Sequence, residues 1–446
     1  MDPTFDMDAR NARPISKPKI LVLSRLPPAT TTAPAVAATV VKRWNSSATT
    51  TAAAGTTATT TTTTRGAYRS PTPPTGVPLS RILSNTFPLS YSESYSQWLK
   101  RTGLQEAEKA VLSCLPFYPE PDATRRARSL KVPIGESNHI NEFEITRTTS
   151  EPISNELVVL HGYGAGLGFF YKTFDGISNE PGWRIHGLDL LGYGCSSRPK
   201  FELKSKSADP LVRTLEAEDF FIDALEAWRI ERGIESFSLV AHSLGAYLGA
   251  SYATKYPGRI NKLMLVSPAG VTRSSYAVDS GETPEMPLPE MKAKAPLWFH
   301  YLWECNVSPF SLVRNTGPLG PRFVSGWSSR RFANLPSKEA RALHMYAYTI
   351  FNAPGSGEYA LNYLLAPGAY GRRPLATRAR EIPCPTYWIY GDNDWMDING
   401  GQEACNNIAD RWPADLVSVS NSGHHIYLDN PQELNYHIKK FMRTNY

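Results

Sequence analysis

Residues 237–246 read Phe-Ser-Leu-Val-Ala-His-Ser-Leu-Gly-Ala, an apolar strand that runs into a tight turn and the small-residue start of a helix. Residues 241–245 match the pattern G-x-S-x-G, except that Ala241 replaces the first glycine. Such a turn lifts a serine hydroxyl above the carboxyl end of a sheet, where it can act as a nucleophile. The pattern makes Ser243 the candidate nucleophile; the alternative is an ordinary turn whose serine caps the helix.

A glycine-rich turn follows an earlier apolar strand, in residues 158–166, which read Val-Val-Leu-His-Gly-Tyr-Gly-Ala-Gly. Backbone N–H groups in such a turn can stabilise the negative charge that develops during acyl transfer. We predict an oxyanion hole made by the N–H groups of Tyr163 and Leu244. A phosphate-binding loop is the alternative, but the lysine of a P-loop is missing.

Three carboxylates follow the next-to-last predicted strand, in residues 389–397, which read Ile-Tyr-Gly-Asp-Asn-Asp-Trp-Met-Asp. Asp394 is the predicted acid of the catalytic set, with Asp397 as its rival and Asp392 as the weaker alternative. A metal loop is the other interpretation. Since neither the glycine nor the closing glutamate of a calcium loop is present, we predict no metal.

Two histidines follow the last predicted strand, His424 and His425. His424 is the predicted general base, which takes the proton of Ser243 and returns it to the leaving group, and His425 is the alternative. The chain order Ser243, Asp394, His424 is that of α/β-hydrolases and differs from the two other well-known serine triads.

The same segment also matches the acyltransferase pattern H-x4-D, from His424 to Asp429. A structural interpretation competes with it, because Asn430 can cap the last helix, with Pro431 at its first position and Glu433 completing a capping box. We therefore expect Asp429 to be structural, with the acyltransferase role left open.

Short apolar strands alternate with helices along most of the chain, which predicts a mostly parallel sheet covered on both faces. The predicted strands are Ile140–Thr148, Leu157–Leu160, Arg184–Leu188, Phe237–Ala241, Lys262–Ser267, Thr386–Tyr390 and Leu416–Ser420. The predicted helices include Gln97–Leu115, Arg213–Arg232 and Leu244–Lys255. The predicted segments are a tail (1–90), a lead-in helix (91–130), the first part of the core (131–271), a helical cap (272–380) and the second part of the core (381–446).

The tail differs in composition from the rest of the chain. Residues 9–92 contain ten Lys and Arg and no Asp or Glu, and residues 29–64 are almost entirely Thr, Ala, Val and Ser. Such a segment cannot bury enough apolar surface to fold, and its composition is typical of an organellar transit peptide. A simple flexible extension is the alternative, since Asp2, Asp6 and Asp8 depart from the transit pattern.

Composition excludes several classes of protein. The chain has 446 residues and a formal charge of +6, but the positive excess lies in the tail, which argues against a nucleic-acid-binding patch. Five scattered cysteines without a C-x-x-C pair exclude a disulfide scaffold and a zinc ribbon, and favour a reducing compartment. No apolar run approaches the ~18 residues of a membrane span.

Taken together, these motifs resemble the lipid-acting subfamily of α/β-hydrolases. The resemblance rests on residues 161–168 (His-Gly-Tyr-Gly-Ala-Gly-Leu-Gly), 188–199 (Leu-Asp-Leu-Leu-Gly-Tyr-Gly-Cys-Ser-Ser-Arg-Pro), the turn at Ser243, and 423–429 (Gly-His-His-Ile-Tyr-Leu-Asp). That subfamily includes a mitochondrial cardiolipin-specific deacylase, an N-acylphosphatidylethanolamine lipase and a lipase coactivator that lacks the serine. With the tail, the resemblance points most closely to the deacylase. It implies an α/β-hydrolase fold, no cofactor, and a mitochondrial location on the matrix side of the inner membrane, with the cytoplasm or a lipid-droplet surface as alternatives.

The predicted cap is rich in aromatic residues and cations. The aromatic residues are Trp298, Phe299, Tyr301, Trp303, Phe310, Phe323 and Trp327. The cations are Lys292, Lys294, Arg314, Arg322, Arg330 and Arg331. The mixture suits an anionic membrane surface, and the alternative is that the aromatics form the core of the cap and an acyl-chain pocket.

We therefore expect a phospholipid acyl ester hydrolase, with no obligate protein partner. A lysophospholipid acyltransferase and a silent lipid-surface coactivator are the alternatives. An epoxide hydrolase is disfavoured, because its nucleophile is an aspartate.

Overall fold

The computed structural model describes residues 88–149, 151–279 and 297–446, with only the backbone for 297–300. The predicted tail therefore lies outside the described residues, apart from its last three positions, and so do Lys292, Lys294 and the side chains of Trp298 and Phe299. No helix among the described residues combines the length and apolarity that a membrane span requires. All five cysteines are free thiols.

Eight strands form one sheet in the order β1-β2-β4-β3-β5-β6-β9-β10. Their bounds are β1 Arg125–Ile134, β2 Asn138–Arg147, β3 Asn155–Leu160, β4 Trp183–Leu188, β5 Phe237–His242, β6 Ile260–Val266, β9 Thr386–Gly391 and β10 Ala414–Val419. The pairs β1–β2 and β2–β4 are antiparallel, and the other five pairs are parallel. The predicted mostly parallel sheet is confirmed, and all seven predicted strands belong to it.

Fourteen α-helices are assigned in the described residues. They are α1 Tyr91–Lys100, α2 Leu104–Leu112, α3 Tyr171–Ile177, α4 Pro210–Glu231, α5 Leu244–Lys255, α6 Leu297–Glu304, α7 Pro309–Asn315, α8 Gly320–Arg331, α9 Ser337–Asn352, α10 Leu361–Leu364, α11 Leu375–Arg378, α12 Ile398–Ile408, α13 Ile426–Asp429 and α14 Pro431–Arg443. Helix α5 has the predicted bounds. Helix α4 begins at Pro210, three residues before the predicted start, because Asp209 caps it.

The helix predicted over 97–115 is wrong as a single element. The chain forms α1 and α2 instead, separated at Arg101, whose φ of 44° is left-handed. Gly103 then caps α2, and Leu99 of α1 is 54% exposed. A left-handed residue cannot continue a right-handed helix, so the two segments pack separately.

Helices cover the sheet on both faces. Along β3, Val158 and Leu160 belong to one buried apolar cluster, whereas Leu157 and Val159 belong to the other. Because successive strand residues point to opposite faces, this alternation places one core on each side of the sheet. The prediction of a doubly covered sheet is confirmed.

The chain between β6 and β9 forms the helical insertion predicted from the sequence. In its described part it contains α6 to α11 and two short paired strands, β7 Leu365–Ala366 and β8 Tyr370–Gly371. Side chains of α8 and α9, such as Val324, Leu343 and Tyr346, join the core cluster that also contains Leu167 and Phe169 of the turn after β3. The cap is thereby packed onto the carboxyl end of the sheet.

Candidate active site

Ser243 lies at the turn between β5 and α5, with φ of 54° and ψ of −117°. Its N–H donates to the carbonyl of Val266 at 3.0 Å, which holds this uncommon conformation in place. The turn at Ser243 packs closely against the segment that follows β3. A Cβ on Gly162 would lie 2.8 Å from the Cβ of Ser243, and a Cβ on Gly245 would overlap the carbonyl oxygen of His161. Ala241 is fully buried, so its methyl group, the departure from the usual glycine, is accommodated within the core.

His424 lies between Ser243 and Asp394. Its Nε2 is 3.1 Å from Ser243 Oγ, and its Nδ1 is 3.1 Å from Asp394 Oδ1. Burial raises the pKa of Asp394, but the hydrogen bond and charge of His424 outweigh burial, so the pKa lies below its usual value. Because an ionised carboxylate only accepts, Nδ1 donates to Asp394 and Nε2 is left to accept from the serine hydroxyl. The three residues chosen from the sequence are thus brought together in the geometry of a serine triad.

The two rival carboxylates are engaged elsewhere. Asp397 caps α12 by accepting from the N–H of Asn399 at 3.3 Å, and it also accepts from the hydroxyl of Thr272. Asp392 accepts from the N–H groups of Asn421 and Ser422 at 3.0 and 2.9 Å. Both therefore shape loops around the site, while Asp394 faces the histidine.

Two further histidines adjoin His424. The Nε2–H of His242 donates to the carbonyl of His424 at 2.8 Å and so fixes the backbone of the loop that carries His424. Burial, with the nearby charges of His424 and other groups, lowers the pKa of His242 well below its usual value. Burial, with the charge of Arg331, does the same for His425. Both rings are therefore neutral near pH 7, and it is His424 that contacts Ser243.

The predicted oxyanion donors, Tyr163 and Leu244, border the same cavity as Ser243. Neither backbone N–H has an acceptor among the described residues, so both are free to bind a developing oxyanion. The turn is held by His161, whose Nδ1–H donates to the carbonyl of Gly162 at 2.8 Å while Nε2 accepts from the N–H of Leu190 at 3.0 Å. These contacts preorganise the glycine-rich turn.

A buried polar cluster contacts the segment that continues the glycine-rich turn. Asp189 accepts from the N–H of Leu167 at 2.8 Å and from Nδ2 of Asn141 at 2.8 Å, and Asn141 also donates to Glu108 of α2. Burial and the charge of Asp189 raise the pKa of Glu108 to about 8. Glu108, Asp189 and Cys195 are close enough to share a cation. In the structure Asn141 donates to both carboxyl groups.

Ser243 and His424 open onto a cavity of about 560 Å³. Its aromatic lining comes from both the cap and the core. The aromatic residues are Tyr163, Phe169, Trp303, Phe310, Trp327, Phe351, Trp395 and Tyr427. The volume and the apolar lining suit a long acyl chain.

The cap residues singled out in the sequence divide into three groups. Trp303, Phe310 and Trp327 line the cavity, as the acyl-pocket interpretation expects, whereas Tyr301 is 70% exposed. Phe323 is half-buried and does not line the cavity.

Several of the cations have internal partners. Arg314 pairs with Glu358, the buried Arg322 lies over the ring of Tyr91, and Arg331 pairs with Asp429. Arg330 is exposed. The cap therefore presents fewer free cations than the sequence suggested.

Sequence reasoning assigned no role to His242 or Asp189, and it treated Arg331 only as one of the cap cations that suit an anionic membrane surface. His242 adjoins Ser243, and Asp189 lies in the quoted 188–199 motif, so both had a local signal. Arg331 had none, because its partners lie about 95 residues further along the chain.

The chain was compared with known proteins. The family described as "alpha/beta hydrolase fold" matches residues 155–431. A "1-acylglycerol-3-phosphate O-acyltransferase" of Arabidopsis thaliana is 35% identical over 73% of this chain and 76% of its own length. A "(Lyso)-N-acylphosphatidylethanolamine lipase" of Bos taurus is 30% identical over 74% of this chain and 89% of its own. The carboxylesterase CesB of Bacillus subtilis has the same fold, with a TM-score of 0.51 and 15% identity over 79% of this chain and 100% of its own. By its sheet order, its catalytic geometry and these matches, the chain belongs to the α/β-hydrolase family.

Proposed function

We propose that this protein is a serine hydrolase that cleaves an acyl ester of a phospholipid through an acyl-enzyme on Ser243. The observation that carries the proposal is the pair of 3.1 Å contacts joining Ser243, His424 and Asp394, two of which line a largely apolar cavity. Relatives named for lipid substrates support the choice of substrate class. The serine argues against a catalytically silent coactivator.

The geometry supports a two-step reaction. His424 Nε2 takes the hydroxyl proton as Ser243 Oγ attacks the ester carbonyl, and the N–H groups of Tyr163 and Leu244 stabilise the oxyanion. The C–O bond to the glycerol then breaks, and the departing lysolipid alkoxide takes the proton from His424. His424 next deprotonates a water molecule, which attacks the acyl-enzyme; the bond from the acyl carbon to Ser243 Oγ breaks, Oγ takes the proton from His424, and the fatty acid is released. Asp394 orients the ring throughout.

Acyl transfer is the second candidate, because several relatives are named as acyltransferases. The same acyl-enzyme would then be resolved by the hydroxyl of a lysophospholipid in place of water. In the structure Asp429 accepts from the N–H of Gly423 and pairs with Arg331, so both of its carboxylate oxygens have structural partners.

The two candidates differ in their products. We expect vesicles of cardiolipin, phosphatidylethanolamine or N-acylphosphatidylethanolamine with labelled acyl chains to yield mainly labelled fatty acid, and addition of a lysophospholipid acceptor to leave that yield nearly unchanged. Chromatography of the lipid extract measures both products. Label that moves into the acceptor at the expense of fatty acid would replace the hydrolase proposal with the transferase one.

We further propose that the protein binds lipid surfaces through exposed apolar residues of α6, α7 and the segment that connects them. Tyr301, Leu302, Val307 and Leu312 are exposed there, and the same two helices supply Trp303 and Phe310 to the cavity wall. A lipid could therefore pass from the bilayer into the cavity beside this surface.

The double change Tyr301→Ser and Leu312→Ser is expected to weaken vesicle binding about tenfold or more, because it removes two large side chains from the contact. Their exposed fractions are 70% and 65%. Co-sedimentation with vesicles measures the effect, in anionic and in zwitterionic lipid. Ile230→Ser is the matched control, since Ile230 is 62% exposed on α4. Equal binding of the double variant and wild type would contradict the proposal.

A further inference from the structure

Among the described residues that line the cavity, Arg331 is the only lysine or arginine. It is the last residue of α8, and its side chain is 18% exposed. No aspartate or glutamate belongs to the described lining, and the low pKa values of His242 and His425 leave both rings neutral near pH 7. The wall of this largely apolar cavity thus contains one cationic side chain, which is paired with Asp429.

The guanidinium is held in place but incompletely satisfied. One terminal nitrogen pairs with Asp429 at 2.7 Å, and the other donates to the carbonyl of His425 at 3.1 Å. The buried Nε–H has no acceptor among the described residues. Each terminal nitrogen of an arginine carries two N–H donors, so these two contacts leave one donor on each nitrogen for a ligand.

Arg331 is bonded to the loop that carries His424. His425 directly follows His424, so the bond from Arg331 to the His425 carbonyl attaches the cation to the loop that carries the general base. An anion bound by Arg331 would therefore share the cavity with the ester that Ser243 attacks. Planar, multidentate donors of this kind are suited to phosphate oxygens.

We propose that Arg331 binds the phosphate of the lipid substrate and so selects phosphate-bearing glycerolipids over neutral ones. The proposal rests on the proposed function for its substrate class. Asp429 is then a positioning residue: it holds Arg331 from one side while its other oxygen accepts from the N–H of Gly423 at 3.0 Å. This assigns the second half of the H-x4-D pattern to substrate selection and not to acyl transfer.

Binding to a Ser243→Ala protein tests the inference without depending on catalysis. Trp303, Trp327 and Trp395 line the cavity, so tryptophan fluorescence can report lipid binding. The probes are 1-acylglycerol-3-phosphate and a monoacylglycerol of the same acyl chain. Adding Arg331→Gln is expected to lower the preference for the phosphate lipid about tenfold, and Arg331→Lys to restore part of it. Arg330→Gln, which removes the same charge from an exposed neighbour, should leave the preference unchanged.

The outcomes separate the two proposals. If Arg331→Gln weakens the binding of both lipids equally, the role of Arg331 is merely structural and the inference is overturned. An unchanged preference for the phosphate lipid would overturn it as well. If Arg331→Gln does not fold, the double variant Arg331→Gln with Asp429→Asn removes both members of the ion pair and must show the same loss of preference. An Arg331-dependent preference in a protein whose wild type releases no fatty acid would support the binding site and refute the hydrolase.

Discussion

Replacing Ser243 by alanine is expected to lower the rate of fatty-acid release from phospholipid vesicles by about 10⁴-fold or more, because the acyl-enzyme can no longer form. The change removes only the hydroxyl. The backbone bond to Val266 and the packing against Gly162 stay in place. The free energy of unfolding should therefore change little. Fatty-acid release and labelling by a fluorophosphonate probe measure the two consequences directly.

Ser238→Ala is the matched control for this experiment. Ser238 is buried on the same strand, β5, but at the end remote from the turn, so the same substitution there should leave fatty-acid release within a few-fold of wild type. If the Ser243 variant releases as much fatty acid as wild type, the serine is not the nucleophile. If neither protein releases fatty acid although both bind vesicles, the coactivator alternative is favoured.

The main sheet was predictable because its buried parallel strands are nearly continuous apolar runs. Residues 157–160 and 237–241 are buried on both faces, so composition alone distinguishes them from loops. Strand β1 was not predicted. It lies at the sheet edge, pairs only with β2, and carries mainly polar and exposed side chains, among them Arg126, Arg128 and Lys131. Its existence depends on its partner and not on an apolar pattern of its own.

The triad residues were predictable for a related reason. Each lies just after the carboxyl end of an apolar strand, and parallel strands bring these ends to one edge of the sheet. The contacts of Glu108 and Arg331 were not predictable, because both belong to helices whose packing is decided only in the folded chain. Arg331 in particular looked like one of several surface cations of the cap, and only its contact with Asp429 distinguishes it from the exposed Arg330.

Replacing Asp394 by asparagine is expected to lower the turnover rate by roughly 10³- to 10⁴-fold. An asparagine can donate from its NH₂ group to Nδ1 of His424. The ring then carries its proton on Nε2, and Nε2 can no longer accept from the hydroxyl of Ser243. The fold should be little affected, since the amide keeps the shape of the carboxylate. Steady-state kinetics on a soluble short-chain ester measures the turnover rate without interference from vesicle binding.

Asp397→Asn tests the choice between the two carboxylates. Asp397 caps α12 through the N–H of Asn399, and asparagine caps helices about as well as aspartate, so this variant should retain turnover within a few-fold of wild type. The opposite result, a large loss for Asp397→Asn and a small one for Asp394→Asn, would mean that the loop after β9 rearranges to bring Asp397 to His424. Comparable losses of turnover for both variants would indicate that the N-terminal capping contact of Asp397 with α12 is needed to hold Asp394 in position. Because the two changes are chemically identical and three residues apart, the difference between them isolates the contact with His424 from any general effect of lost charge.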